Sequence, residues 1–271
     1  MSGTNESTTS PVIDTSRPHP ARMYDFWLGG KDNYPVDEEL GRQVLAIEPS
    51  VRDVARANRA FMRRATRWAA SHGMRQFLDI GTGIPTEPNL HQVAQAVAPE
   101  ARVVYCDNDP IVLAHAEALM RGTPEGATAY VQADVREPRD ILEQASEVLD
   151  FTRPVQLSLV ALLHFVSDEQ GAYELVGTLT DALAPGSQLV VTHAGYTPGD
   201  ARLGEVDDQY RAGGITLALR TREEIARFFG DFEILEPGLV GADRWRPELD
   251  ESPQTSLPDS VVFYGGVARR T

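Results

Sequence analysis

The sequence has almost no cysteine and no long apolar run. Cys106 is the only cysteine among 271 residues, so no internal disulfide can form and a cysteine-rich metal site is excluded. No stretch reaches the roughly 18 apolar residues that a membrane-spanning helix needs. The first 20 residues lack the apolar segment of a signal peptide, and we expect them to form a disordered leader. We therefore expect a cytoplasmic protein with no membrane partner and no metal site.

Positive charge is also scarce. The chain has 25 basic and 40 acidic residues, which gives a formal net charge of -15. Such a surface repels a phosphate backbone, so we expect no nucleic-acid partner. The segment 52–67 holds several arginines, which we interpret as the solvated face of a helix. Hydrophobic residues make up 42% of the chain, enough for the core of one large domain with an appendage.

The order of apolar patterns predicts an α/β fold. Helical spacing covers 36–47 and 51–71, and strand-like and helical patterns then alternate. The predicted strands are 76–80, 102–106, 127–133, 154–163 and 187–194, and the predicted helices between them are 89–98, 110–120, 139–149 and 169–183. Such alternation is typical of a parallel sheet with helices on both faces. Beyond it we expect a polar segment as far as Gly214, a short helix at 221–229, and strands at 231–236 and 260–269.

These patterns divide the chain into a leader (1–20), a helical N-terminal extension (21–73) and an α/β domain (74–271). In open α/β sheets, ligands bind outside the carboxyl ends of the strands. Gly81 and Gly83 follow the first strand there, and the missing Cβ atoms let the backbone approach a ligand closely. Such glycine pairs also occur in many tight strand–helix turns, so further residues must identify the ligand.

Two acids follow the second and third strands. Asp107 ends the second strand, where a carboxylate can accept hydrogen bonds from both hydroxyls of a ribose. It could instead cap the next helix, but Asp109 is better placed for that because it directly precedes Pro110. Asp134 follows the third strand and could accept from the amine of an adenine, with the backbone of Val135 against the ring. The alternative for Asp134 is an aspartate in a surface turn.

The loop favours S-adenosylmethionine (SAM) over NAD as the adenosine ligand. Dinucleotide enzymes carry a third glycine or an alanine in this loop, but counting from Gly81 that position is Thr86. The helix also begins only beyond Pro88, so no glycine turn presents amides to a diphosphate. Asp79 would repel a diphosphate, but it would tolerate the sulfonium and ammonium groups of SAM.

The quoted motifs resemble a known family. LDIGTG, VVYCDNDP and VQADVRE resemble the first three motifs of class I SAM-dependent methyltransferases. With YDFWLGGKDNY, ALLHFVSDEQ and ALAPGSQLVVTHA added, the chain from Ala21 onward is similar to an actinobacterial S-adenosyl methyltransferase family long catalogued as a domain of unknown function. The resemblance implies a Rossmann-like α/β fold: a mostly parallel seven-stranded sheet with the last strand antiparallel, plus a helical N-terminal extension.

The resemblance also implies a cofactor site. SAM is the implied cofactor and S-adenosylhomocysteine (SAH) its product. The residues that we expect to bind SAM are Tyr24, Asp79, Gly81, Gly83, Asp107, Asn108, Asp134 and Val135. The sequence departs from the usual class I pattern at Pro85, where a third glycine is common, and this puts the amide contacts there in doubt. We expect the block 24–34 to close the methionine side of the SAM pocket, or else only to tie the extension to the core.

Two histidines are candidates for catalysis. His164 follows the fourth strand and is the first candidate for a base or an acceptor contact, and His193 in the fifth strand is the second. A structural role is the alternative for both. We expect 196–214 and 238–259 to wall the site of a small-molecule acceptor. The alternatives to a methyltransferase are a non-catalytic, regulatory SAM-binding protein and an NAD-linked oxidoreductase.

Overall fold

The computed structural model describes residues 14–112, 121–197, 199–250 and 256–271. Within these ranges, no helix combines the length and the apolar character needed to cross a membrane. Three helices open the chain, α1 (Pro20–Leu28), α2 (Pro35–Ile47) and α3 (Val51–Ser71), in agreement with the predicted patterns 36–47 and 51–71. The leader's residues 1–13 lie outside the described residues, so a disordered leader stays a prediction.

The buried carboxylate of Asp37 links the first two helices. It accepts the backbone N–H of Tyr34 at 2.9 Å, at the start of α2, and that of His19 at 2.8 Å, at the start of α1. Gly29 ends α1 with a φ of 85°, a left-handed conformation that favours glycine. The Asp37 carboxylate therefore fixes the backbone at the starts of α1 and α2, and Gly29 fixes it at the end of α1.

The α/β domain follows. Its strands are β1 (Gln76–Ile80), β2 (Arg102–Asp107), β3 (Ala127–Gln132), β4 (Gln156–Val160), β5 (Gln188–Ala194), β6 (Glu233–Ile234), β7 (Val240–Gly241) and β8 (Phe263–Arg269). Its helices are α4 (Leu90–Val97), α5 (Pro138–Ala145), α6 (Ala172–Asp181), α7 (Ala201–Ala212) and α8 (Arg222–Ala226). Of the predicted helix 110–120, residues 110–112 are helical and 113–120 lie outside the described residues.

The strands form one sheet in the order β3-β2-β1-β4-β5-β8-β6. Strands β1 to β5 are parallel, and β8 runs antiparallel to both β5 and β6. The prediction of a mostly parallel sheet with an antiparallel last strand is confirmed. The two-residue β7 also pairs with β8, which makes eight strands among the described residues rather than seven. The strand order reverses between β1 and β4, and a ligand cleft is expected at this point.

Alternate residues of the central strands pack against different helix layers. Leu78 and Val104 belong to the core on the face of α5 and α6, whereas Phe77 and Val103 pack on the face of α3 and α4. The period of two in a β-strand produces this division. Helices therefore cover both faces of the sheet and leave its carboxyl edge for a ligand.

Helix α7 lies in the segment 196–214, for which we expected only a polar stretch. Its buried residues are Val206 and Tyr210, four positions apart, which is too weak a pattern to identify a helix from the sequence. Both side chains join Met23 and Trp27 of α1 in one apolar cluster. Helix α7 therefore packs against the N-terminal extension. We call α1, α2, α3 and α7 together the roof.

The interpretation of segment 52–67 as a solvated face is wrong for part of α3. Arg64 is only 1% exposed and donates to the carbonyls of Trp245 at 2.8 Å and Ala242 at 2.6 Å. Arg67 donates to the carbonyl of Leu249 at 2.9 Å. An irregular loop leaves carbonyl groups without strand or helix partners, and guanidinium groups supply donors for them. Part of this arginine face therefore anchors the loop before β8.

Candidate active site

A cavity of about 520 Å³ lies at the carboxyl edge of the sheet, beneath α1, α2, α3 and α7. All eight residues that we expected to bind SAM line it, and so does His164. His193 does not line it. The structure thus brings together residues from the extension, from the loop after β1 and from the ends of β2 and β3.

The loop after β1 needs its glycines. Gly81 has a φ of 75° and Gly83 a φ of 66°, both in the left-handed region. A Cβ atom on Gly81 would lie 2.7 Å from Cδ1 of Leu162. The amide of Gly81 donates to the carbonyl of Cys106 at 2.8 Å, which ties the loop to the end of β2.

The remainder of the loop is held by α3. The Arg59 guanidinium donates to the carbonyls of Thr86 and Pro88. Helix α4 begins only at Leu90, as the sequence predicted. The stretch around Pro85 is therefore a loop segment of its own, held in place by Arg59. Because this segment intervenes, the N-terminus of α4 does not directly follow the glycines.

The carboxylate of Asp107 is held by backbone amides. Its Oδ2 accepts from Gly83 N–H at 2.7 Å, and its Oδ1 accepts from Asp109 N–H at 3.0 Å. Burial raises the pKa of Asp107, and these two hydrogen bonds act in the opposite direction. The capping role falls to Asp109, whose Oδ1 accepts from Ile111 N–H at 3.1 Å, as predicted. Asp107 is thus oriented and keeps lone pairs for a ligand.

Asp134 has a partner that the sequence analysis missed. Arg136 donates to Oδ1 of Asp134 from its backbone at 2.9 Å and from Nε at 2.8 Å. These hydrogen bonds lower the pKa of Asp134, so its carboxylate stays ionised. Asn108 Nδ2 lies 3.4 Å from Oδ2. The spacing of an aspartate two residues before an arginine could have indicated this pairing in the sequence, but the same spacing is common in turns.

Asp79 is the least compensated acid of the cavity. It is 8% exposed, and no hydrogen bond reaches its carboxylate from any residue that the structure describes. Burial, with a further contribution from Asp107, raises the pKa of Asp79 to about 7, and the positive charge of Arg59 opposes this. A carboxylate in this position complements a bound cation.

Tyr24 lies on the cavity wall and also ties the extension to the core. Its hydroxyl donates to the carbonyl of Ala55 at 2.9 Å and accepts from Asn58 Nδ2 at 2.8 Å. Asn58 Oδ1 accepts from the Thr192 hydroxyl at 2.7 Å, and this hydroxyl accepts from Ala161 N–H at 2.8 Å. The chain of hydrogen bonds links α1 through α3 to β5 and to the turn after β4.

A buried ion pair, absent from the sequence predictions, joins the extension to the cofactor edge. Arg22 is 3% exposed and donates to both carboxylate oxygens of Asp109, at 3.0 and 3.2 Å. His19 Nδ1 lies 3.2 Å from the same carboxylate. Arg22 and Asp109 are 87 residues apart, and no local sequence pattern predicts their contact. The ion pair holds α1 against Asp109, which follows Asp107 by two residues in the chain.

The surroundings of His193 favour the structural alternative that we considered over a catalytic role. Its Nδ1 lies 2.7 Å from the carbonyl of Ala194, to which it donates, and its Nε2 accepts from Arg220 at 2.7 Å. Burial lowers its pKa to about 3. Both ring nitrogens are therefore engaged away from the cavity, and Arg220 in turn pairs with Asp168 at 2.7 Å.

His164 faces the cavity as a neutral ring. The Ala194 amide donates to its Nδ1 at 3.5 Å, which leaves the ring proton on Nε2. Burial, together with His193 and Arg220, holds the pKa of His164 well below its ordinary value. A ring in this state is a hydrogen-bond donor and a poor base. Of the two roles that we considered, the geometry favours the acceptor contact.

Of the two segments that we expected to wall the acceptor site, only one contributes to the cavity lining among the described residues. Leu203, Val206 and Tyr210, from 196–214, line the cavity, whereas the described part of 238–259 does not. That loop packs against α3 instead. Two segments that the sequence analysis did not single out complete the wall, 214–219 and 260–263, each represented by several lining residues.

An antiparallel strand inserted between two parallel neighbours, with the cofactor edge at the reversal of strand order, makes this the fold of the class I methyltransferases. A family described as S-adenosyl methyltransferase matches residues 6–271, and the chain belongs to that family. It is a SAM-dependent methyltransferase, with SAM as cofactor and SAH as product.

Solved structures agree with this assignment. A DUF574 family protein from Streptomyces avermitilis is 44% identical, with a TM-score of 0.89, and the match covers 96% of this chain and 100% of that one. A protein from Thermobifida fusca, itself only proposed to be a methyltransferase, is 40% identical with a TM-score of 0.84, covering 95% and 96% of the two chains. The plantazolicin methyltransferase BamL, 12% identical with a TM-score of 0.51 over 93% and 96% of the chains, shares the fold. A comparison with curated proteins gives no match.

Proposed function

We propose that this methyltransferase acts on a small-molecule acceptor that binds in the same cavity as SAM. The observation that carries the proposal is the single cavity itself. One end is lined by Asp79, Gly81 and Asp107, and the other by apolar side chains of α7 and of 214–219. The roof of α1, α2, α3 and α7 limits the size of the acceptor and favours a small molecule over a macromolecular substrate.

The residues at the first end fit SAM. The Asp79 carboxylate, which has no hydrogen-bond partner among the described residues, complements a cation, and the absence of Cβ atoms at Gly81 and Gly83 lets the loop backbone approach the ligand. Asp107 would accept from the ribose hydroxyls, and Asp134 with Asn108 and Val135 would hold the adenine. Tyr24 would contact the methionine side.

The chain's own contribution to the reaction is positioning. When bound, SAM supplies an electrophilic methyl group, and the electron pair of the broken carbon–sulfur bond stays on sulfur. The protein has to bring the acceptor atom in line, at about 3–3.5 Å from the methyl carbon, and to exclude water. The roof helices exclude water, and the Nε2–H of His164 can orient the acceptor by donating a hydrogen bond.

Calorimetric titration with SAM, SAH and NAD tests the cofactor roles. We expect SAM and SAH to bind and NAD not to bind. Asp107→Ala should lose SAM binding, while Asp181→Ala, an exposed position at the end of α6, should retain it. Binding of NAD without SAM would overturn the proposal. SAM binding without SAH formation from any acceptor tried would instead favour the non-catalytic alternative.

A further inference from the structure

Aromatic rings contribute to the wall of the cavity. Beyond Tyr24 on the methionine side, it is lined by Trp27, Phe165, Tyr210 and Phe263. Phe165, Tyr210 and Trp27 belong to the apolar cluster that joins α7 to the extension. Flat rings gain from offset or edge-on contact with other rings beyond the burial of area alone. This wall therefore favours a planar aromatic ligand.

The Tyr210 hydroxyl is available to such a ligand. The residue is 5% exposed and lines the cavity, and its hydroxyl has no hydrogen-bond partner in the part of the chain that the structure describes. Burial raises the pKa of Tyr210, so its hydroxyl remains protonated and can donate or accept. The Tyr210 oxygen is not among the fully enclosed side-chain atoms that lack a partner, so it is accessible from the cavity and a ligand there can hydrogen-bond to it.

A second polar group, the imidazole of His164, also lies close to Phe165. The ring centroid of Phe165 is 4.3 Å from that of His164 and 6.1 Å from that of Tyr210. The Nε2 of His164 has no hydrogen-bond partner among the described residues, while its Nδ1 is engaged by Ala194. The Phe165 ring is thus close to two side chains that carry hydrogen-bonding groups.

The described residues that line the acceptor end offer no free positive charge. Glu48 and Asp200 both pair with Arg202, at 3.4 Å and 2.9 Å, so two carboxylates share one guanidinium and an excess of negative charge remains. The lining arginines Arg59 and Arg136 contact the glycine loop and Asp134 at the cofactor end. An anionic ligand at the aromatic end would leave water without a counter-ion, which is costly.

We propose that the acceptor is an aromatic molecule without a negative charge, that it lies against Phe165, and that it presents a hydroxyl or a similar polar group to Tyr210 and His164. The inference rests on the proposed function, because it assumes that this end of the cavity receives the methyl acceptor. It adds the chemical class of the acceptor and the two side chains that orient it.

Matched probes can test this class. The protein is first saturated with SAH and then titrated with 2-naphthol, 2-naphthoate and decahydro-2-naphthol in a calorimeter. These probes share a bicyclic frame and differ in charge or in aromaticity. We expect 2-naphthol to bind about tenfold more tightly than either of the others, which corresponds to about one aromatic contact or one lost counter-ion.

Variants identify the groups responsible. Tyr210→Phe should weaken 2-naphthol binding about tenfold, as expected for the loss of one buried hydrogen bond, and leave SAH binding unchanged. Tyr196→Phe, at a residue 41% exposed, is the matched control and should change neither.

The possible failures are distinguishable. Absence of SAH binding would overturn the proposed function. With SAH bound, three outcomes would overturn only the acceptor class: no binding of 2-naphthol, equal or tighter binding of 2-naphthoate, or an unaffected Tyr210→Phe.

Discussion

Replacing Asp79 by asparagine should stabilise the ligand-free protein and weaken its binding of SAM. The side chain is buried in the cavity wall, and no described residue hydrogen-bonds to its carboxylate. Burial raises its pKa to about 7, so the fold disfavours the ionised form. Asparagine has nearly the same shape and carries no charge. The substitution therefore removes a repulsive group that the ligand-free fold retains.

The magnitude follows from the pKa. The unfolded chain ionises Asp79 near the ordinary value of 3.8, and the folded chain near 7. Between these values the unfolded state binds fewer protons, so wild-type stability falls by about 1.4 kcal/mol per pH unit. The loss is complete above about pH 7 and amounts to at most about 4 kcal/mol. The advantage of Asp79→Asn should accordingly be near zero at pH 4 and largest above pH 7.

Urea denaturation of both proteins without ligand, from pH 4 to pH 8.5, measures this difference. A stability difference that does not grow with pH over this range would refute the account of Asp79.

The wild-type protein should bind SAM more tightly than Asp79→Asn, although it is the less stable of the two without ligand. A cation is attracted by the ionised carboxylate, so wild-type affinity should rise with pH and level off above about 7, and below that value it should fall by up to about tenfold per unit. Asp79→Asn should bind weakly at every pH and lose this dependence. Calorimetry in buffers of different ionisation enthalpy counts the protons released. Equal release by the two proteins would contradict the assignment.

Three further substitutions test the framework of the cavity. Arg22→Met leaves the buried Asp109 without its arginine partner and should lower the free energy of unfolding, measured by urea denaturation, by about 3–5 kcal/mol. Adding Asp109→Asn should recover part of this loss, because it removes the buried charge. Gly81→Ala should abolish SAM binding because its Cβ would collide with the turn after β4, whereas Gly73→Ala, with a φ of +92° but open space around it, should cost stability alone. Tyr24→Phe removes two hydrogen bonds and should lower the free energy of unfolding by about 1–3 kcal/mol in the same denaturation assay, with no loss if the network is unimportant.

The sequence predicted the sheet and the cofactor edge well because both depend on local patterns. Strands β1 and β2 have apolar centres, and glycines or acids lie at or directly after their carboxyl ends. A parallel sheet brings the carboxyl ends of neighbouring strands to one edge, so Gly81, Asp107 and Asp134 had to approach one another once the strand order was right. The two-residue β7 is too short to leave a pattern.

Contacts between distant segments could not be predicted in this way. Arg22 and Asp109 are 87 residues apart, and Arg64 reaches carbonyl groups about 180 positions later, so neither pairing has a signature in the chain. The sequence ranked His164, after β4, ahead of His193, in β5, but it showed no partner for either ring. Packing supplies the physical difference, because Arg220 hydrogen-bonds to Nε2 of His193, whereas His164 lines the cavity.

Two aspartates of the cavity are held in different states by the same fold. Asp107 receives two backbone amides, whereas Asp79 receives none from the described residues and is protonated about half the time near pH 7. The difference suits a cofactor that loses a positive charge on reaction. In the proposed site, a sulfonium would stabilise the ionised Asp79, and its conversion to a neutral thioether would remove that stabilisation without changing the ribose contacts of Asp107. We therefore propose that the anchoring of the nucleoside and the response to the methyl donor's charge belong to different residues.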